Sequence, residues 1–526
     1  MFGVAKSRML KTVFAAGANM SHGTVRLSIA SVTTVFCIVS ERAFSSVSFR
    51  EPRPIPCVQK IAYESATEVR LDEKLSVSVS CEDVSASVEW VSRHMNEWFG
   101  VRPAVSEGNE GYADIPDEGY RVKAEPRRIS IVAKNLQGVR YAMYSLRQTA
   151  EAVTEGMTVS TYRLPALSFE DSPALKFRGL HLCWFPEVTP TFVEHMIRLA
   201  AYYKYNHLVI ESWGVFQSEK HPWFSLKGGK MTKKELGHLV AVAKDAGITL
   251  VPQINIFGHA AAARIGGGKH ITLDYHPERK SLFEPAGGWN WCLSNPAATA
   301  VLRDLVAEMH EAFGNPPFFH IGCDEAEKPS CASCRATKYS KLLFAHIASI
   351  HDLLKSRGAR AMMWHDKLLN GKESKWKGYY AYGDDETSSL AKTLPRDIVI
   401  CDWYYGKQVY ETGEYPTADY FKSLGFQVVT SPWNDLSGIR VQTKYARENS
   451  LDGVLQTIWN EYRGGPFARM METAACSAWG RGDSTSGWSA LGFATHWREC
   501  GHDMGIDDYS ETGYYSNQST RDVLDY

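Results

Sequence analysis

Two adjacent carboxylates, Asp324 and Glu325, end a short apolar run and are the residues of this chain best suited to acid–base chemistry. The run before them, 318–321, is apolar apart from His320, as expected of a buried strand. Because neighbouring residues of a strand point to opposite sides, one carboxylate could face a reacting bond while the other turns aside. Two carboxylates in one cleft are the usual equipment of glycoside hydrolysis. The alternative is a helix that begins with acidic residues, which its dipole favours.

Eight apolar runs alternate with amphipathic stretches from Phe177 onward, and this alternation predicts a (β/α)₈ TIM barrel. The predicted strands are Phe177–Trp184, His207–Ser212, Ile248–Asn255, Phe318–Asp324, Arg360–Asp366, Asp397–Trp403, Phe426–Trp433 and Gly453–Asn460. A doubly wound open sheet is the competing fold, but no Gly-x-Gly-x-x-Gly motif follows an early strand. We predict a leader over 1–50, a small α+β domain over 51–170, the barrel over 171–490 and a tail over 491–526.

Composition and charge are those of an ordinary soluble protein. The 526 residues carry a formal net charge of -1, which does not suit a nucleic-acid partner. Residues 27–40 are apolar but too short to span a bilayer, so they predict a signal peptide and no membrane span. The protein would then be periplasmic, lysosomal or extracellular. A disordered or misassigned leader is the alternative, which leaves a cytoplasmic location open.

Cysteine is spread over the whole chain rather than arranged as a disulfide scaffold. Cys331 and Cys334 form a Cys-x-x-Cys pair just after the two carboxylates. Zinc normally takes four ligands, which Cys292 and Cys323 could complete, although nothing in their spacing demands it. We therefore favour a local disulfide or plain thiols over a metal site.

Tryptophan and acidic residues recur at the ends of the predicted strands, where barrel enzymes place their active sites. Such residues are Trp184, Glu211, Trp213, Trp364, Asp366, Asp402, Trp403, Trp433, Asp435, Trp459 and Glu461. Core filling does not explain this placement, because barrel interiors favour branched aliphatic residues. Aromatic faces cover sugar rings and carboxylates accept bonds from hydroxyls, so the pattern predicts a pocket for a neutral, hydroxyl-rich ligand.

At this point a family resemblance becomes visible. The segment His320-Ile-Gly-Cys-Asp324-Glu325 resembles the His-x-Gly-x-Asp-Glu signature of glycoside hydrolase family 20, the β-N-acetylhexosaminidases. Similar motifs follow in the family's order: Asp171-Ser-Pro173, Phe177-Arg-Gly179, Gly258-His259-Ala260, Cys292-Leu-Ser-Asn-Pro296, Trp364-x-Asp366 and Trp459-x-Glu461. The resemblance extends over roughly residues 60–480 and includes the small upstream domain.

The resemblance implies an exo-acting, retaining enzyme that removes terminal β-linked GlcNAc or GalNAc from oligosaccharides without a metal or cofactor. It implies substrate assistance, in which the 2-acetamido oxygen attacks the anomeric carbon in place of an enzyme carboxylate. Glu325 would be the general acid and later the base. Asp324 would hold the acetamido N–H and stabilise the charge that develops there.

The resemblance also implies a sugar-binding set with distinct roles. Hydroxyl ligands would be Arg178 on the non-reducing sugar and Asp435 and Glu461 on the O4 and O6 side. Pocket walls would be Trp364, Trp403 and Trp459, and His259 and His320 would support the carboxylates or the ring hydroxyls.

The chain departs from the family's pattern at three places. Trp433 stands where the family has a tyrosine that bonds the acetamido oxygen, and Tyr404 or Tyr405 would have to substitute. Asn255 replaces the acid before the Gly-His motif, and the second strand reads Ile-Glu-Ser-Trp-Gly. These changes indicate a divergent member. A 6-sulfated aminosugar near Lys367 or Arg463, or a non-catalytic sugar-binding barrel, are the alternative functions.

Overall fold

The structure is a computed structural model that describes residues 48–186, 188–225, 231–260, 273, 276–284, 287–459, 464–480 and 496. The predicted signal peptide and nearly all of the predicted tail lie outside the described residues, as do Asn460 and Glu461. Within these ranges, no helix combines the length and apolar character needed to cross a bilayer.

The N-terminal domain is a seven-stranded sheet with two helices. Its strands are β1 Lys60–Leu71, β2 Ser76–Ser80, β3 Ala104–Glu107, β4 Tyr120–Glu125, β5 Arg128–Ala133, β6 Glu151–Glu155 and β7 Thr158–Asp171. The strand order is β1-β7-β4-β5-β2-β3, and β6 pairs with β7. Helix α1 (Val84–Phe99) buries one face, whereas helix α2 (Leu136–Thr149) is buried around most of its circumference. Asn135 caps α2 by accepting a hydrogen bond from Gly138 N at 3.1 Å.

The second region is a closed barrel of eight parallel strands, which confirms the predicted fold. Its strands are β8 Phe177–Trp184, β9 His207–Ser212, β10 Thr249–Gln253, β11 Phe318–His320, β12 Arg360–Trp364, β13 Val399–Trp403, β14 Gln427–Ser431 and β15 Gly453–Ile458. Its helices are α3 Pro190–Tyr202, α4 Lys233–Ala246, α5 Pro296–Ala312, α6 Ala332–Arg335, α7 Tyr339–Ser356, α8 Gln408–Thr412, α9 Pro416–Ser423, α10 Leu436–Glu448 and α11 Gly464–Trp479. Several strands end earlier than predicted, and β11 stops four residues before Asp324.

A buried ion pair joins the N-terminal domain to the barrel. Lys204, just after α3, donates from Nζ to Asp171 Oδ2 at 3.1 Å and to Tyr120 Oη at 2.9 Å. Trp479 Nε1, at the end of α11, donates to the same Asp171 oxygen at 2.9 Å. Because both charges are fully buried, the pair is stable only while all of these partners are in place. This contact fixes the sheet domain against the barrel.

Candidate active site

The two carboxylates lie on a turn just beyond β11, not on the strand itself. Cys323 has φ +76° and Glu325 has φ +46°, both in the left-handed region. Gly322, at φ +68°, precedes them, and a Cβ there would lie 1.6 Å from Asn255 Oδ1, so only glycine fits. The predicted strand Phe318–Asp324 is therefore too long, and the two carboxylates project from a turn that follows the strand.

His259 lies against both carboxylates. Its Nε2 is 3.3 Å from Asp324 Oδ2 and 3.5 Å from Glu325 Oε2. The side chain of Asp324 is 10% exposed, whereas that of Glu325 is 49% exposed. The neighbouring acids thus have different environments, one enclosed and one open to a ligand. The predicted supporting role of His259 agrees with this geometry.

Asp366 lies inside the barrel and holds residues 322–325, the catalytic turn, in place. Its Oδ2 accepts a hydrogen bond from Glu325 N at 2.9 Å, and its Oδ1 accepts one from Trp403 Nε1 at 3.4 Å. Burial, followed by the charge of Asp324, raises the pKa of Asp366 to about 7. Asp366 fixes the backbone of Glu325 and adds a second titrating group to the site. The sequence indicates Asp366 as a strand-end acid and as part of a Trp-x-Asp motif, but it does not predict this contact with the backbone of Glu325.

A second buried polar network lies at the ends of the first three barrel strands. Glu211 Oε2 is 3.1 Å from His181 Nε2 and 3.5 Å from Cys183 Sγ. Asn255 Nδ2 donates to Glu211 Oε1 at 2.7 Å. The ring of His181 packs against Trp459, with centroids 4.7 Å apart. This network lies beneath the pocket, beside the catalytic turn. The sequence indicates Glu211 and Asn255 as strand-end residues but does not predict their contact with each other.

Aromatic rings form one wall of the site. Trp403 lies 4.9 Å from Tyr380 and 5.3 Å from Tyr405, measured between ring centroids. Trp433 lies 5.2 Å from Tyr405 in the same way. Trp459 Nε1 donates to Tyr405 Oη at 2.9 Å. The wall therefore contains the predicted Trp403, Trp433 and Trp459, and adds Tyr405 and Tyr380.

Tyr404 does not belong to that wall. Its ring is fully buried and stacks on Tyr379 with centroids 5.2 Å apart, while its hydroxyl donates to Gln408. Neighbouring residues at a strand end face opposite sides, so Tyr405 points into the barrel mouth and Tyr404 points toward the helices. Of the two tyrosines considered for the position left by Trp433, Tyr405 lies in the wall and Tyr404 does not.

Trp364 and His320 lie below the wall, in the barrel interior. Both side chains have no exposed surface, and their rings are 4.4 Å apart. His320 Nδ1 accepts a hydrogen bond from Gly322 N at 3.1 Å, which supports the catalytic turn. Trp364 Nε1 is buried and has no hydrogen-bond partner among the described residues. The two residues therefore lie beneath the pocket and do not line it, so the prediction that Trp364 forms a pocket wall is wrong.

The prediction that Arg178 binds sugar hydroxyls is wrong. Arg178 lies at the start of β8, at the opposite end of the barrel from the catalytic turn, and is 1% exposed. Its guanidinium donates to Glu118 at 2.7 Å, Tyr141 Oη at 2.8 Å and Lys204 O at 2.9 Å. Glu118 and Tyr141 belong to the N-terminal domain, so Arg178 joins the domains and does not bind a ligand.

Asp435 and Glu461 were predicted on the O4 and O6 side of the sugar. Asp435 is exposed and caps α10, accepting from Ser437 N at 2.8 Å and Gly438 N at 2.9 Å. The cap fixes the carboxylate close to Trp433, at the rim of the barrel mouth. Glu461 lies outside the described residues, and its predicted role stays a prediction.

An open cavity of about 490 Å³ begins at the exposed carboxylate of Glu325. It is lined by Glu325, Ala326, Glu327, Lys328, Tyr339, Lys367, Tyr382 and Asp384. Lys367 Nζ is held by Tyr382 O at 2.6 Å, and burial lowers its pKa. Acidic side chains outnumber the lysines in this lining. The sequence did not indicate this cavity, because its residues come from loops with no common motif.

Comparisons with known proteins agree on one family. The profile of the glycosyl hydrolase family 20 catalytic domain matches residues 188–464, and that of family 20 domain 2 matches residues 51–172. A beta-hexosaminidase of Porphyromonas gingivalis is 22% identical over 64% of this chain and 48% of its own length. A beta-hexosaminidase of Vibrio furnissii is 25% identical over 62% of this chain and 59% of its own length. The chain thus spans about half the length of these curated relatives.

Solved structures of the family share the fold. A family 20 exo-β-N-acetylglucosaminidase from Vibrio harveyi superposes with TM-score 0.62 at 16% identity, over 86% of this chain and 78% of the other. A β-N-acetylhexosaminidase from Bacteroides fragilis superposes with TM-score 0.61 at 19% identity, over 82% and 91%. The catalytic-domain profile covers more than half of the chain, and the two-domain architecture is the same. The chain belongs to glycosyl hydrolase family 20.

Proposed function

We propose that this protein is an exo-acting β-N-acetylhexosaminidase that removes terminal GlcNAc or GalNAc with retention, through attack by the substrate's own acetamido group. The observation that carries the proposal is the contact of both carboxylates with one nitrogen, His259 Nε2. This contact holds the two acids next to each other in different environments, with Asp324 nearly enclosed and Glu325 half exposed. Such a pair fits substrate assistance, in which one carboxylate orients the acetamido group and the other transfers the proton.

Glu325 is suited to act as the general acid. Its carboxylate is half exposed and borders the open cavity, so a leaving group placed there would lie beside the proton donor. Proton transfer to the glycosidic oxygen, and later removal of a proton from water, need one group in the same position. The backbone contact with Asp366 fixes that position before substrate binds.

Asp324 is suited to the second role. Its side chain is nearly enclosed, and an enclosed carboxylate interacts more strongly with a nearby positive charge than one in water. During acetamido attack the amide nitrogen gains positive charge, which Asp324 would stabilise while it orients the group. Tyr405 would supply the hydroxyl for the acetamido oxygen in place of Trp433, because its ring lies next to Trp433 and its Oη accepts from Trp459 Nε1.

The sulfated-sugar alternative has less support. Lys328 and Lys367 line the cavity, but both already have partners: Lys328 Nζ lies 3.8 Å from Asp384 Oδ2, and Lys367 Nζ donates to Tyr382 O. A sulfate would have to compete with these contacts, so we expect unsulfated sugars to be the better substrates.

The test is hydrolysis of 4-nitrophenyl β-GlcNAc, β-GalNAc and their 6-sulfates, with a chito-oligosaccharide alongside. We expect Glu325→Gln to lower kcat/KM on the oligosaccharide by about 10²–10⁴-fold, since general acid catalysis contributes that much. The loss should be smaller for the aryl glycosides, whose leaving group needs little protonation. Glu327→Gln is the matched control, because it removes another acid of the same cavity and should leave the rate unchanged.

Substrate assistance has its own readout. Replacing acetamido with mono-, di- and trifluoroacetamido makes the carbonyl oxygen a progressively weaker nucleophile, so kcat should fall in that order. The first product seen by NMR should be the β-anomer, and only monosaccharide should leave a reducing-end-labelled oligosaccharide. A kcat that stays the same across the fluorinated series would contradict substrate assistance. Sugar binding without hydrolysis of any substrate would favour the non-catalytic barrel.

A further inference from the structure

Three cysteines and a glutamate converge beside the loop that follows Glu325. Cys331 is the N-cap residue of α6, and Cys334 lies within α6. Cys292 and Glu284 come from the segment between β10 and α5. Their Sγ atoms and one carboxylate oxygen all lie within 4.8 Å of one another. Cys323, the other thiol considered from the sequence, is not part of this group. The proposed activity gives no role to any of these four residues.

The spacing of the sulfurs fits a tetrahedral metal ion. Cys292 Sγ lies 3.8 Å from Cys331 Sγ and 3.8 Å from Cys334 Sγ. Two sulfurs bound to zinc at about 2.3 Å in tetrahedral geometry are about 3.8 Å apart. The arrangement therefore needs little movement to enclose an ion.

Glu284 gives an independent reason to place a cation here. Its side chain is buried, and Oε2 accepts hydrogen bonds from Ser330 N at 2.9 Å and Cys331 N at 2.8 Å. Its Oε1 is also buried and makes no hydrogen bond to any described residue. A buried carboxylate oxygen without a partner is unfavourable unless a cation satisfies it.

The surroundings also suit thiolate ligands. Cys334 N donates to Cys331 Sγ at 3.3 Å, a backbone contact that stabilises a negatively charged sulfur. Cys334 Sγ donates to Ser294 Oγ at 3.1 Å as a thiol, and Cys292 Sγ lies 3.5 Å from the same oxygen, so the Ser294 hydroxyl could donate to either sulfur once that sulfur is a thiolate. Such outer contacts orient metal ligands and tune their affinity.

We propose that Cys292, Cys331, Cys334 and Glu284 bind one zinc ion in a closed, structural site. Soft thiolates select zinc over magnesium or calcium, and four protein ligands leave no position for a substrate. Binding would release the three thiol protons to solvent as the sulfurs become thiolates. The three-thiol set also differs from a disulfide, which would use two cysteines and leave one reduced.

The ion would stabilise the segments that hold the general acid. Trp289 and Asn290 lie between Glu284 and Cys292 in the chain, and Trp289 Nε1 donates to Glu325 O at 3.0 Å. Asn290 Nδ2 donates to Glu327 O at 2.6 Å, and Glu327 N donates back to Asn290 Oδ1 at 3.1 Å. A metal bound by Glu284, Cys292 and Cys331 would therefore link segment 284–292, which contacts Glu325 and Glu327, to the segment that follows Glu327.

The experiment measures metal, thiols and stability in the full chain purified without chelator. Elemental analysis should find one zinc per chain, and a mercurial reagent that blocks thiols should release it to a zinc-binding dye. Replacing zinc with cobalt should produce sulfur-to-cobalt charge-transfer bands and the strong visible bands of a tetrahedral ion. These readouts use the native chain, so they hold even if a variant fails to fold. Chelation should lower Tm.

Variants assign the ligands. Cys334→Ser and Glu284→Gln should each weaken zinc binding by more than about 10-fold, since even outer-contact mutations reach that size. Cys81→Ser is the matched control, because Cys81 is also a buried free thiol but lies in the N-terminal domain. A metal-free chain with a mass lower by two hydrogens would show a disulfide instead and overturn the proposal. Zinc retained in Cys334→Ser, or cobalt spectra without thiolate bands, would overturn it as well.

Discussion

Asp366 should make the stability of this protein depend on pH, and Asp366→Asn tests this directly. The carboxylate is fully buried and accepts hydrogen bonds from Glu325 N and Trp403 Nε1. Burial and the charge of Asp324 raise its pKa to about 7. The asparagine side chain has nearly the same shape and can still accept one of these bonds, but it cannot ionise.

The size of the effect follows from the two pKa values of Asp366. An aspartate in the unfolded chain titrates near ~3.9, so folding raises the pKa by about 3 units. Between these values the native state holds a proton that the unfolded state has released. The stabilisation is therefore complete below about pH 4 and is lost as pH rises through about 7. At about 1.4 kcal/mol per unit, the loss is about 4 kcal/mol.

The assay is urea unfolding of wild type and Asp366→Asn at intervals from pH 4 to pH 8. The free energy of unfolding of the variant, minus that of wild type, should increase by about 4 kcal/mol over this range. Asp114→Asn removes an exposed carboxylate of the N-terminal domain and serves as the control, with a difference that stays nearly constant. A constant difference for Asp366→Asn would show that Asp366 is ionised throughout, and would refute the reasoning.

Three further substitutions test the assigned roles. Arg178→Met should lower the free energy of unfolding by about 3–5 kcal/mol, because it leaves Glu118 without its buried partner, while KM of the folded enzyme stays unchanged. Tyr405→Phe should lower kcat/KM about 10-fold through loss of one hydroxyl contact, whereas Tyr404→Phe should affect stability alone, as measured by Tm. Trp289→Phe removes the hydrogen bond to Glu325 O and should lower kcat more than it changes KM.

The barrel could be predicted because its signals are local. Each strand is a short apolar run, and several helices end at a glycine that adopts a left-handed conformation, such as Gly247 at φ +80°. The strands close the barrel in the predicted order, and the acidic pair lies at the carboxyl end of its strand as the fold requires. These features depend only on residues near one another in the sequence.

The errors concern residues whose environment is set by distant parts of the chain. Arg178 was misassigned because its partners, Glu118 and Tyr141, lie in the other domain and no local pattern shows that contact. Whether Tyr404 or Tyr405 faces inward depends on the path of the chain just after β13, and periodicity does not fix the direction of side chains beyond a strand end. In both cases the role of the residue depends on which side chains it meets in the folded structure.

The catalytic turn shows why such distant contacts matter for chemistry. Cys323, Glu325 and His259 all have positive φ, and each such conformation costs about 1–3 kcal/mol in a residue other than glycine. This strain persists because Glu325 is held on both sides: its N–H donates to Asp366, and its carbonyl accepts from Trp289. The direction of the general acid is therefore set by a buried carboxylate and a loop tryptophan rather than by β11. Substitutions at Asp366 or Trp289 can thus misalign Glu325 without touching it.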